Sequence, residues 1–373
     1  MSISITEVSS KSDLKAFIKF PMNLYKDVSS YVPPLISFEI STLDPKKNPA
    51  FNHAEATYWV ARKNDQLVGR IAGIILDQEL SDKKLARFGW IDFVDDLEVS
   101  AMLLDTVTAW AKSKGATGLH GPLGFTDLDF EGALIDGFEH TATQATIYNA
   151  PYYQKHYEAF GFEKAVDWTE TRGVIPPDVP EKLKRGAAMS KERYGFRSVT
   201  FKKKKELLKY ATRVFELINR TYSNLYGYYE LSPAQIDYYI KQYFDFVKLE
   251  LISLIVNEED EVVAMAITLP SISEALKKAK GSLFPFGFIH VLKAFNTIDQ
   301  MDLFLIAVDQ KYQKSGVHAI IFEDLHTMFN QFGAKTFATG PMLEGNRGVQ
   351  NLWTIFSAEV TATIRRRCYI KTI

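Results

Sequence analysis

The feature that most constrains the fold is an internal repeat. Residues 60–69 match residues 255–264 without a gap at an offset of 195. Residues 98–113 match residues 317–332, and the glycines that follow these segments, Gly115 and Gly333, are offset by 218. The second half therefore has about 23 extra residues, within residues 271–301. Two separate matches in the same order predict two diverged copies of one fold.

The sequences of the two copies predict the same order of strands and helices. The first match has the pattern of a β-hairpin, with alternating apolar residues on both sides of a polar turn at Asp65 or Asp260. The second match spaces its apolar residues as a helix does and ends at Gly115 or Gly333. Strands alternate with helices in both copies, which predicts an α/β fold with a mixed sheet and helices on both faces. In the second copy we expect helices at 204–222, 233–244, 317–332 and 346–356, and strands at 262–269, 302–308, 336–339 and 361–370.

The boundary between the copies is predicted from prolines. Residues 174–180 contain three prolines, which interrupt both helical and strand patterns. We therefore expect an N-terminal domain at residues 1–175, a connector at 176–197 and a C-terminal domain at 198–373. A length of 373 residues is sufficient for two domains.

Composition bounds the class of protein. The 26 Phe, 18 Tyr and 5 Trp exclude a disordered chain. The net charge of -1 is a cancellation, because residues 1–180 hold 17 Lys and Arg against 25 Asp and Glu, and residues 181–373 hold 27 against 20. A basic half suggests an anionic partner such as a nucleotide or a cofactor, and a salt-laced surface is the open alternative.

Several kinds of site are excluded by what the sequence lacks. Cys368 is the only cysteine, so neither an intrachain disulfide nor a cysteine-based metal site is expected, and the seven His residues have no metal-ligand spacing. No phosphate-binding Walker loop, serine-hydrolase elbow or nucleic-acid motif is present. The N-terminal residues lack a signal-like apolar stretch, and no apolar window is long enough to span a membrane. We expect a soluble, cytoplasmic protein with no metal, nucleic-acid or membrane partner.

The sharpest local signal lies between residues 303 and 322. An apolar strand leads into a short polar loop with one glycine, Gly316, and then directly into an amphipathic helix. The first amides of a helix lack partners and the helix dipole is positive there, so such a loop can hold an anion. Lys311 and Lys314 add positive charge. A simple tight turn is the alternative.

This segment resembles motif A of the GCN5-related N-acetyltransferase (GNAT) superfamily. Gln313 and Gly316 follow a strand that ends at Val308, as in the family pattern Gln/Arg-x-x-Gly-x-Gly/Ala, and Ala319 lies one position beyond the last residue of that pattern. The resemblance covers nearly the whole chain as two tandem copies, each with a mixed, mostly antiparallel sheet. It implies acetyl-CoA or another acyl-CoA as cofactor, with loop amides on the pyrophosphate and the strand along the pantetheine arm. The implied cofactor-binding residues are Ile306, Ala307, Val308, Gln313, Lys314, Ser315, Gly316, Val317, His318, Ala319, Asn346 and Trp353.

The chain departs from the family pattern in both copies. His318 stands where the family prefers a second Gly or Ala, and Trp353 stands where many members have a tyrosine acid, although an indole has no acidic O–H. In the first copy, residues 149–162 resemble the family's last helix, and Tyr157 falls on the catalytic-acid position. The matching loop at residues 92–98 has four acidic residues and no glycine, so we expect this copy to have lost CoA binding.

Three further groups are weaker candidates. Glu344 is a candidate general base or amine-orienting group, and a carboxylate at a helix start is its alternative. The resemblance implies an acceptor pocket, for a small-molecule or peptide amine, in the aromatic stretch between the first two helices of the second copy; interdomain core is the alternative. Residues 121–132 are acidic and turn-rich, suited to attract a cationic acceptor or simply to form a solvated loop. The implied substrate-binding residues are Tyr222, Tyr226, Tyr228 and Tyr229.

The leading hypothesis is an acyl-CoA-dependent N-acyltransferase that acts on an unidentified amine and binds its cofactor in the C-terminal copy. Two alternatives stay open. Trp353 and His318 favour a catalytically retired binding or scaffold protein. An aminoacyl-tRNA-dependent transferase, of the kind that uses two copies of this fold, predicts tRNA binding with a steep salt dependence.

Overall fold

In a computed structural model, which describes residues 2–244, 246–357 and 359–373, strands and helices alternate along the chain. The strands are β1 (Ile3–Glu7), β2 (Ala54–Lys63), β3 (Gln66–Leu76), β4 (Leu85–Phe93), β5 (Gly118–Gly121), β6 (Ala133–Asp136), β7 (Glu163–Val174), β8 (Arg197–Ser198), β9 (Ile252–Val256), β10 (Val262–Pro270), β11 (Gln300–Val308), β12 (Thr336–Ala338), β13 (Met342–Leu343) and β14 (Glu359–Thr372). The helices are α1 (Lys11–Leu24), α2 (Ile36–Leu43), α3 (Asp77–Lys83), α4 (Leu97–Ser113), α5 (Tyr152–Ala159), α6 (Glu181–Tyr194), α7 (Lys204–Tyr222), α8 (Pro233–Tyr243), α9 (Ser273–Ala279), α10 (Gly287–Ala294), α11 (Val317–Gln331) and α12 (Arg347–Phe356).

Both predicted hairpins are confirmed. β2 pairs antiparallel with β3, and β9 pairs antiparallel with β10. The first turn holds Asn64 and Asp65 at φ of 52° and 60°, and the second holds Asp260 at 62°. Asn and Asp tolerate this left-handed conformation better than other side chains, so the polar turn residues are those that the hairpin requires.

Local capping explains where several helices begin. The Ser10 side chain accepts a hydrogen bond from the Asp13 amide, and the Asp13 carboxylate accepts one from the Ser10 amide, which starts α1. The same reciprocal pair, Ser232 with Gln235, starts α8, where Pro233 occupies the first helical position. These caps satisfy amides that the helix itself cannot satisfy.

The two copies share a second feature, a short parallel pairing. β4 pairs parallel with β5 over three residues from Leu85, and β11 pairs parallel with β12 over three residues from Gln300. The helix between the two strands ends at Gly115 in one copy and at Gly333 in the other, at φ of 88° and 70°. Most other strand pairs are antiparallel, which confirms the expected mixed, mostly antiparallel sheet.

The described residues form two compact units. Unit 1 contains residues up to Thr169 together with Ser273–Leu292 and Ile364–Ile373. Its sheet has the order β1-β2-β3-β4-β5-β14, in which β14 pairs antiparallel with β5 and with β6. Its core includes the fully buried side chains of Phe88 and Phe93.

Unit 2 contains Glu170–Ile272 and Lys293–Thr363. Its sheet has the order β7-β12-β11-β10-β9-β8, and the end of β7 pairs antiparallel with β12. Helices α11 and α12 bury Phe322, Phe329 and Trp353 in its core.

These units are defined by contacts between residues, whereas the predicted boundaries at residues 175 and 198 were placed from the prolines of residues 174–180. Those boundaries stay a prediction. Residues 176–197, the predicted connector, contain helix α6, which packs against α11. The extra residues of the second copy form α9 and α10.

Candidate functional site

In unit 2, an unpaired strand edge opens where β11 leaves β12. The parallel pairing stops at Asp302 and Ala338, and no further pairing of these two strands occurs among the residues described. β11 continues to Val308, still paired with β10 on its other side. The backbone from Leu303 to Val308 therefore has no strand partner along one edge among the residues described.

Successive residues of a strand turn their backbone N–H and C=O groups to opposite edges, and this rule gives the direction of those groups on β11. The Asp309 amide donates to the Val263 carbonyl on β10 at 2.9 Å, so Ile306 and Val308, which alternate with it, turn their backbone groups to the free edge. Tyr222 lies at this edge, because its hydroxyl donates to the Ile306 carbonyl at 2.8 Å. Tyr222, which is predicted to bind the acceptor, is thus in contact with Ile306, which is predicted to bind the cofactor.

The loop after β11 has the geometry of an anion-binding turn. Gly316 is at φ of 81°, a left-handed conformation suited to glycine, and it immediately precedes α11. A Cβ atom built on Gly316 would meet nothing closer than 3.7 Å, so space remains above the loop. Among the described residues, the amides of Gly316 and His318 have no hydrogen-bond acceptor, and the exposed side chain of Lys314 adds positive charge.

Helix α6 supports this loop from behind. The Ser190 hydroxyl donates to the Ser315 carbonyl at 3.0 Å, and Ser190 is buried. The Ser315 hydroxyl donates to the Tyr312 carbonyl at 2.6 Å and accepts from the Val317 amide at 3.3 Å. The loop is thus fixed by side chains rather than left to fluctuate.

Aromatic side chains surround the free edge. Tyr222 and Tyr228 make an edge-to-face contact with ring centroids 5.7 Å apart, and Tyr243 packs against Phe304 of β11 at 5.2 Å. The Tyr228 hydroxyl donates to the Asn219 side chain at 2.6 Å, which fixes that ring. The remaining candidates of this stretch, Tyr226 and Tyr229, are half-buried.

Unit 1 has a cleft at the corresponding place. It lies where β4 has separated from β5, and its volume of about 40 Å³ has room for about three water molecules. Tyr157 lines it and is itself fully buried. Burial, together with the neighbouring Tyr369 and Asp92, raises the pKa of Tyr157 well above its usual value, so the phenol keeps its proton.

A buried ion pair stands beside that cleft. The Arg70 Nε donates to an Asp92 carboxylate oxygen at 2.7 Å, and both side chains are almost completely buried. The Tyr153 hydroxyl donates to the other Asp92 oxygen at 3.3 Å and lies 2.6 Å from the Tyr25 hydroxyl. This network was not foreseen; the only signal for it was Asp92 within the acidic loop that the repeat aligns with the C-terminal phosphate loop.

The acidic, turn-rich segment of residues 121–132 is ordered rather than solvated. The Asp129 carboxylate accepts from the amides of Phe125 and Thr126 at 2.8 and 3.0 Å. Burial raises the pKa of Asp127 to about 6 and that of Asp129 to about 7, and it raises the pKa of Glu131 well above its usual value. The Asp129 carboxylate thus caps the turn that it belongs to, and residues 127–131 are half-buried, so this segment is only partly exposed to solvent.

Comparisons with known proteins identify the architecture. No protein-family model matches the sequence. The chain superposes on a tandem GNAT protein from the clavulanic acid biosynthesis pathway with a TM-score of 0.58 and 11% identity, covering 100% of this chain and 98% of that one. It superposes on a GCN5-related N-acetyltransferase from Sphaerobacter thermophilus with a TM-score of 0.54 and 10% identity, covering 99% and 95%. The chain has a tandem GNAT fold.

Two curated proteins are similar in sequence over most of this tandem GNAT chain. Protein YghO of Escherichia coli (strain K12) is 29% identical over 360 residues, which cover 94% of this chain and 90% of YghO. The bacterial ceramide synthase of Caulobacter vibrioides (strain NA1000 / CB15N) is 26% identical over 322 residues, which cover 84% of this chain and 82% of the synthase.

The remaining site residues of the tandem GNAT fold divide between surface and core. Glu344 is half-buried, and Asn346 is exposed at the start of α12. Trp353 is 1% exposed and packs against Phe322 and Phe337 with ring centroids 4.8 and 5.4 Å away, so its indole faces the core.

The side chains along the cofactor loop divide in the same way. Ala307, Val317 and Ala319 point into the core, whereas Gln313 and Lys314 are exposed and Ser315 is half-buried. Burial lowers the pKa of His318, so its imidazole is neutral at pH 7 and offers one N–H donor without a charge. Binding through this loop would therefore use mainly backbone groups.

Proposed function

We propose that this protein is an acyl-CoA-dependent N-acyltransferase whose cofactor binds in the C-terminal copy. One observation carries the proposal: the free edge of β11 leads directly into the left-handed Gly316 at the start of α11. An extended amide-containing arm can pair with such an edge while a pyrophosphate contacts the helix amides. The half of the sequence that holds this loop, residues 181–373, carries the positive charge, with 27 Lys and Arg against 20 Asp and Glu.

The residues present suit this cofactor. The unpartnered amides of Gly316 and His318, with Lys314 beside them, would hold the pyrophosphate. The backbone groups of Ile306 and Val308 would pair with the pantetheine arm and polarise the thioester carbonyl, as an oxyanion-type interaction does. The bound acyl-CoA supplies an activated acyl carbon.

The protein would contribute positioning and proton transfer. A neutral amine attacks the thioester carbon, the C–S bond breaks, and the amine loses one proton while the thiolate gains one. We propose Glu344 as the group that accepts the amine proton, because it is half-buried directly before the helix that starts at Arg347. Tyr222, Tyr226, Tyr228 and Tyr229 would bound the acceptor pocket, since Tyr222 contacts the free edge through Ile306.

The Caulobacter relative suggests the class of acceptor. A ceramide is a long-chain amino alcohol with a fatty acyl group on its nitrogen, so a ceramide synthase acylates the amine of such a molecule. We propose that this protein also acylates a long-chain amine. The aromatic side chains near β11 support this assignment, because they offer apolar surface next to the reacting edge.

A pair of nearly isosteric variants tests the cofactor site. Asp and Asn both tolerate the left-handed conformation of Gly316, but only Asp adds a negative charge beside the phosphates. Isothermal titration with acetyl-CoA and palmitoyl-CoA should detect binding to the wild type and to Gly316→Asn, and a loss of roughly tenfold or more in Gly316→Asp. Gly333→Asp is the matched control, because Gly333 is also left-handed and lies at the other end of α11.

Two results would contradict the proposal: no binding to the wild type at millimolar acyl-CoA, or equal binding by the Gly316→Asp and Gly316→Asn variants. The acceptor is tested separately by thiol release and mass spectrometry of N-acylated products, with short amines and long-chain amino alcohols as substrates. Cofactor binding without any product would support the retired binding protein instead.

Tyr157 gives a second candidate position for the chemistry. Its hydroxyl has no hydrogen-bond partner among the described residues, it lines the cleft of unit 1, and its raised pKa keeps it protonated. A protonated phenol is suited to donate to a thiolate leaving group. This alternative predicts that Tyr157→Phe, and not Gly316→Asp, abolishes turnover.

A further inference from the structure

In unit 1, a short segment exposes an unusual amount of apolar surface. Phe284 is 81% exposed, Phe286 is 69% exposed and Leu292 is 58% exposed. Phe288 and Ile289 are exposed as well, so five of the eleven large apolar side chains that are exposed in the described part of the chain lie within nine residues. A contiguous exposed apolar patch usually marks a binding surface.

Helix α10 has its apolar face outward. Phe288, Ile289 and Leu292 lie within about 100° of each other around the helix axis, and all three are exposed. Val291 is the side chain of this helix that is buried. A helix on the surface of a globular protein normally turns its apolar stripe inward, so this face is built for contact with something outside the fold.

The segment is held firmly by the rest of unit 1. In α9, the Ser273 hydroxyl donates to the Ala142 carbonyl at 2.9 Å, and Leu276 is buried. The Ile36 amide donates to the Gly281 carbonyl at 2.9 Å, and a Cβ on Gly281 would lie 2.4 Å from the Pro34 carbonyl oxygen. The exposed aromatics are therefore presented on a fixed base and do not belong to a loose loop.

The charge around the segment has one sign. Residues 275–298 contain no Asp or Glu, and they contain Lys277, Lys278, Lys280 and Lys293. Lys277 is paired with Glu274 at 2.6 Å, whereas Lys278 and Lys280 are exposed. An apolar, aromatic-rich face next to unpaired lysines is complementary to a bilayer surface that carries anionic headgroups.

We propose that residues 283–292 form a membrane-docking segment that seats Phe284, Phe286 and the outer face of α10 in the headgroup region of an anionic lipid bilayer. Lys278 and Lys280 contact the lipid phosphates. The segment lies on the membrane, since no helix in the described part of the chain is long and apolar enough to cross one. The proposal departs from the expectation of no membrane partner, and it does not depend on the proposed acyl transfer.

Vesicle flotation with the full chain tests the proposal without any cofactor or acceptor. We expect the wild type to float with vesicles of phosphatidylcholine and phosphatidylglycerol, and to bind phosphatidylcholine alone more weakly. The double change Phe284→Ser with Phe286→Ser should weaken binding on the order of tenfold or more. The matched control is Met189→Ser, since Met189 is 70% exposed but lies outside the segment, and it should bind as the wild type does.

The lysines are tested independently of the aromatics. Lys278→Gln with Lys280→Gln should weaken binding to anionic vesicles by about fivefold for each lysine and should reduce its salt dependence. The control pair is Lys46→Gln with Lys47→Gln, two exposed lysines elsewhere in unit 1. Equal binding by these two double variants would contradict the role of Lys278 and Lys280.

A direct measurement guards against variants that fold poorly. Phe286→Trp should show a blue shift of its added fluorescence with anionic vesicles, and brominated lipids should quench it. No shift, or no flotation of the wild type, would overturn the proposal. If the wild type instead forms dimers that the Phe284 and Phe286 changes dissolve, the face binds a second copy and the membrane assignment is wrong.

Discussion

The Ser190 hydroxyl of α6 donates a hydrogen bond of 3.0 Å to the carbonyl of Ser315, the residue directly before the left-handed Gly316. The contact joins residues 125 positions apart in the sequence. It fixes the turn from which the proposed pyrophosphate-binding amides project, so a residue outside motif A helps to shape it.

Ser190→Ala should therefore loosen the loop. We expect a loss of about 1 kcal/mol in the free energy of unfolding, because a buried hydrogen bond disappears, together with weaker acyl-CoA binding. Urea unfolding and isothermal titration measure the two effects. Ser113→Ala removes an exposed bond to the carbonyl of Trp110 in the same helix and should change neither. If both variants behave alike, Ser190 does not support the loop.

Glu79 and Arg87 form a second testable pair, buried in unit 1. An Arg87 nitrogen donates to Glu79 at 2.6 Å, and both side chains are almost fully buried. Removing one partner leaves a buried charge alone, so Glu79→Gln should lower the free energy of unfolding by about 3–5 kcal/mol. The exposed pair Glu181 and Lys184 is the control, and Glu181→Gln should lower the free energy of unfolding far less, because solvent screens an exposed ion pair. Equal losses would contradict this account.

The same pair predicts a pH dependence. Burial alone would raise the pKa of Glu79, but Arg87 and His120 beside it hold it at about 2. The folded state thus binds the proton more weakly than the unfolded chain does. The stability from Glu79 is complete above pH 4.5 and is lost as the pH falls toward 2. Unfolding of the wild type and of Glu79→Gln across this range should converge at the acid end, and a constant difference would refute the prediction.

Asp302 on β11 predicts the opposite dependence. Burial raises its pKa to about 6, although the Gln300 side chain donates to it at 2.7 Å. The folded state therefore holds the proton more tightly, and its stability falls as the pH rises from about 4 to about 6, by roughly 3 kcal/mol at most. Asp302→Asn removes this loss, so its advantage over the wild type should grow across that window in urea unfolding. The exposed Asp299→Asn should show no such change.

Tyr157→Phe decides which unit carries out the chemistry. The hydroxyl has no partner among the described residues, so its removal should leave the free energy of unfolding within about 0.5 kcal/mol. Because the proposed acyl-CoA site lies beside Gly316 in unit 2 and not beside Tyr157, we expect kcat to stay within about threefold of the wild type. A fall of 10²-fold or more would assign the general acid to Tyr157.

Local signals made much of the fold predictable. The hairpin turns at Asp65 and Asp260 and the helix ends at Gly115 and Gly333 each depend on a few neighbouring residues, and the structure confirms them. The Gly316 loop was also predictable, because its pattern lies within a few neighbouring residues. In contrast, the fate of the extra residues in the second copy was not predicted, because α9 is fixed by distant partners such as Ala142.

The features that the sequence hid all depend on distant contacts. Tyr25 and Tyr153 are 128 residues apart, so no spacing rule links them to Asp92. Trp353 was predicted to bind the cofactor because it aligns with a family position. In the structure it is buried against Phe322 and Phe337, which lie far from it in the sequence. The direction of such a side chain depends on tertiary packing, which the repeat in the sequence does not reveal.

The pairing of β14 with β5 has a consequence for biosynthesis. Unit 1 takes Ile364–Ile373 into its sheet, where Tyr369–Thr372 lie antiparallel to Gly118–Gly121. During translation residues 118–121 therefore emerge well before the strand that covers them, and the edge of β5 stays open until residues 369–372 have been made. An open edge can pair with other chains, so the nascent protein should depend on chaperones until residues 369–372 have emerged.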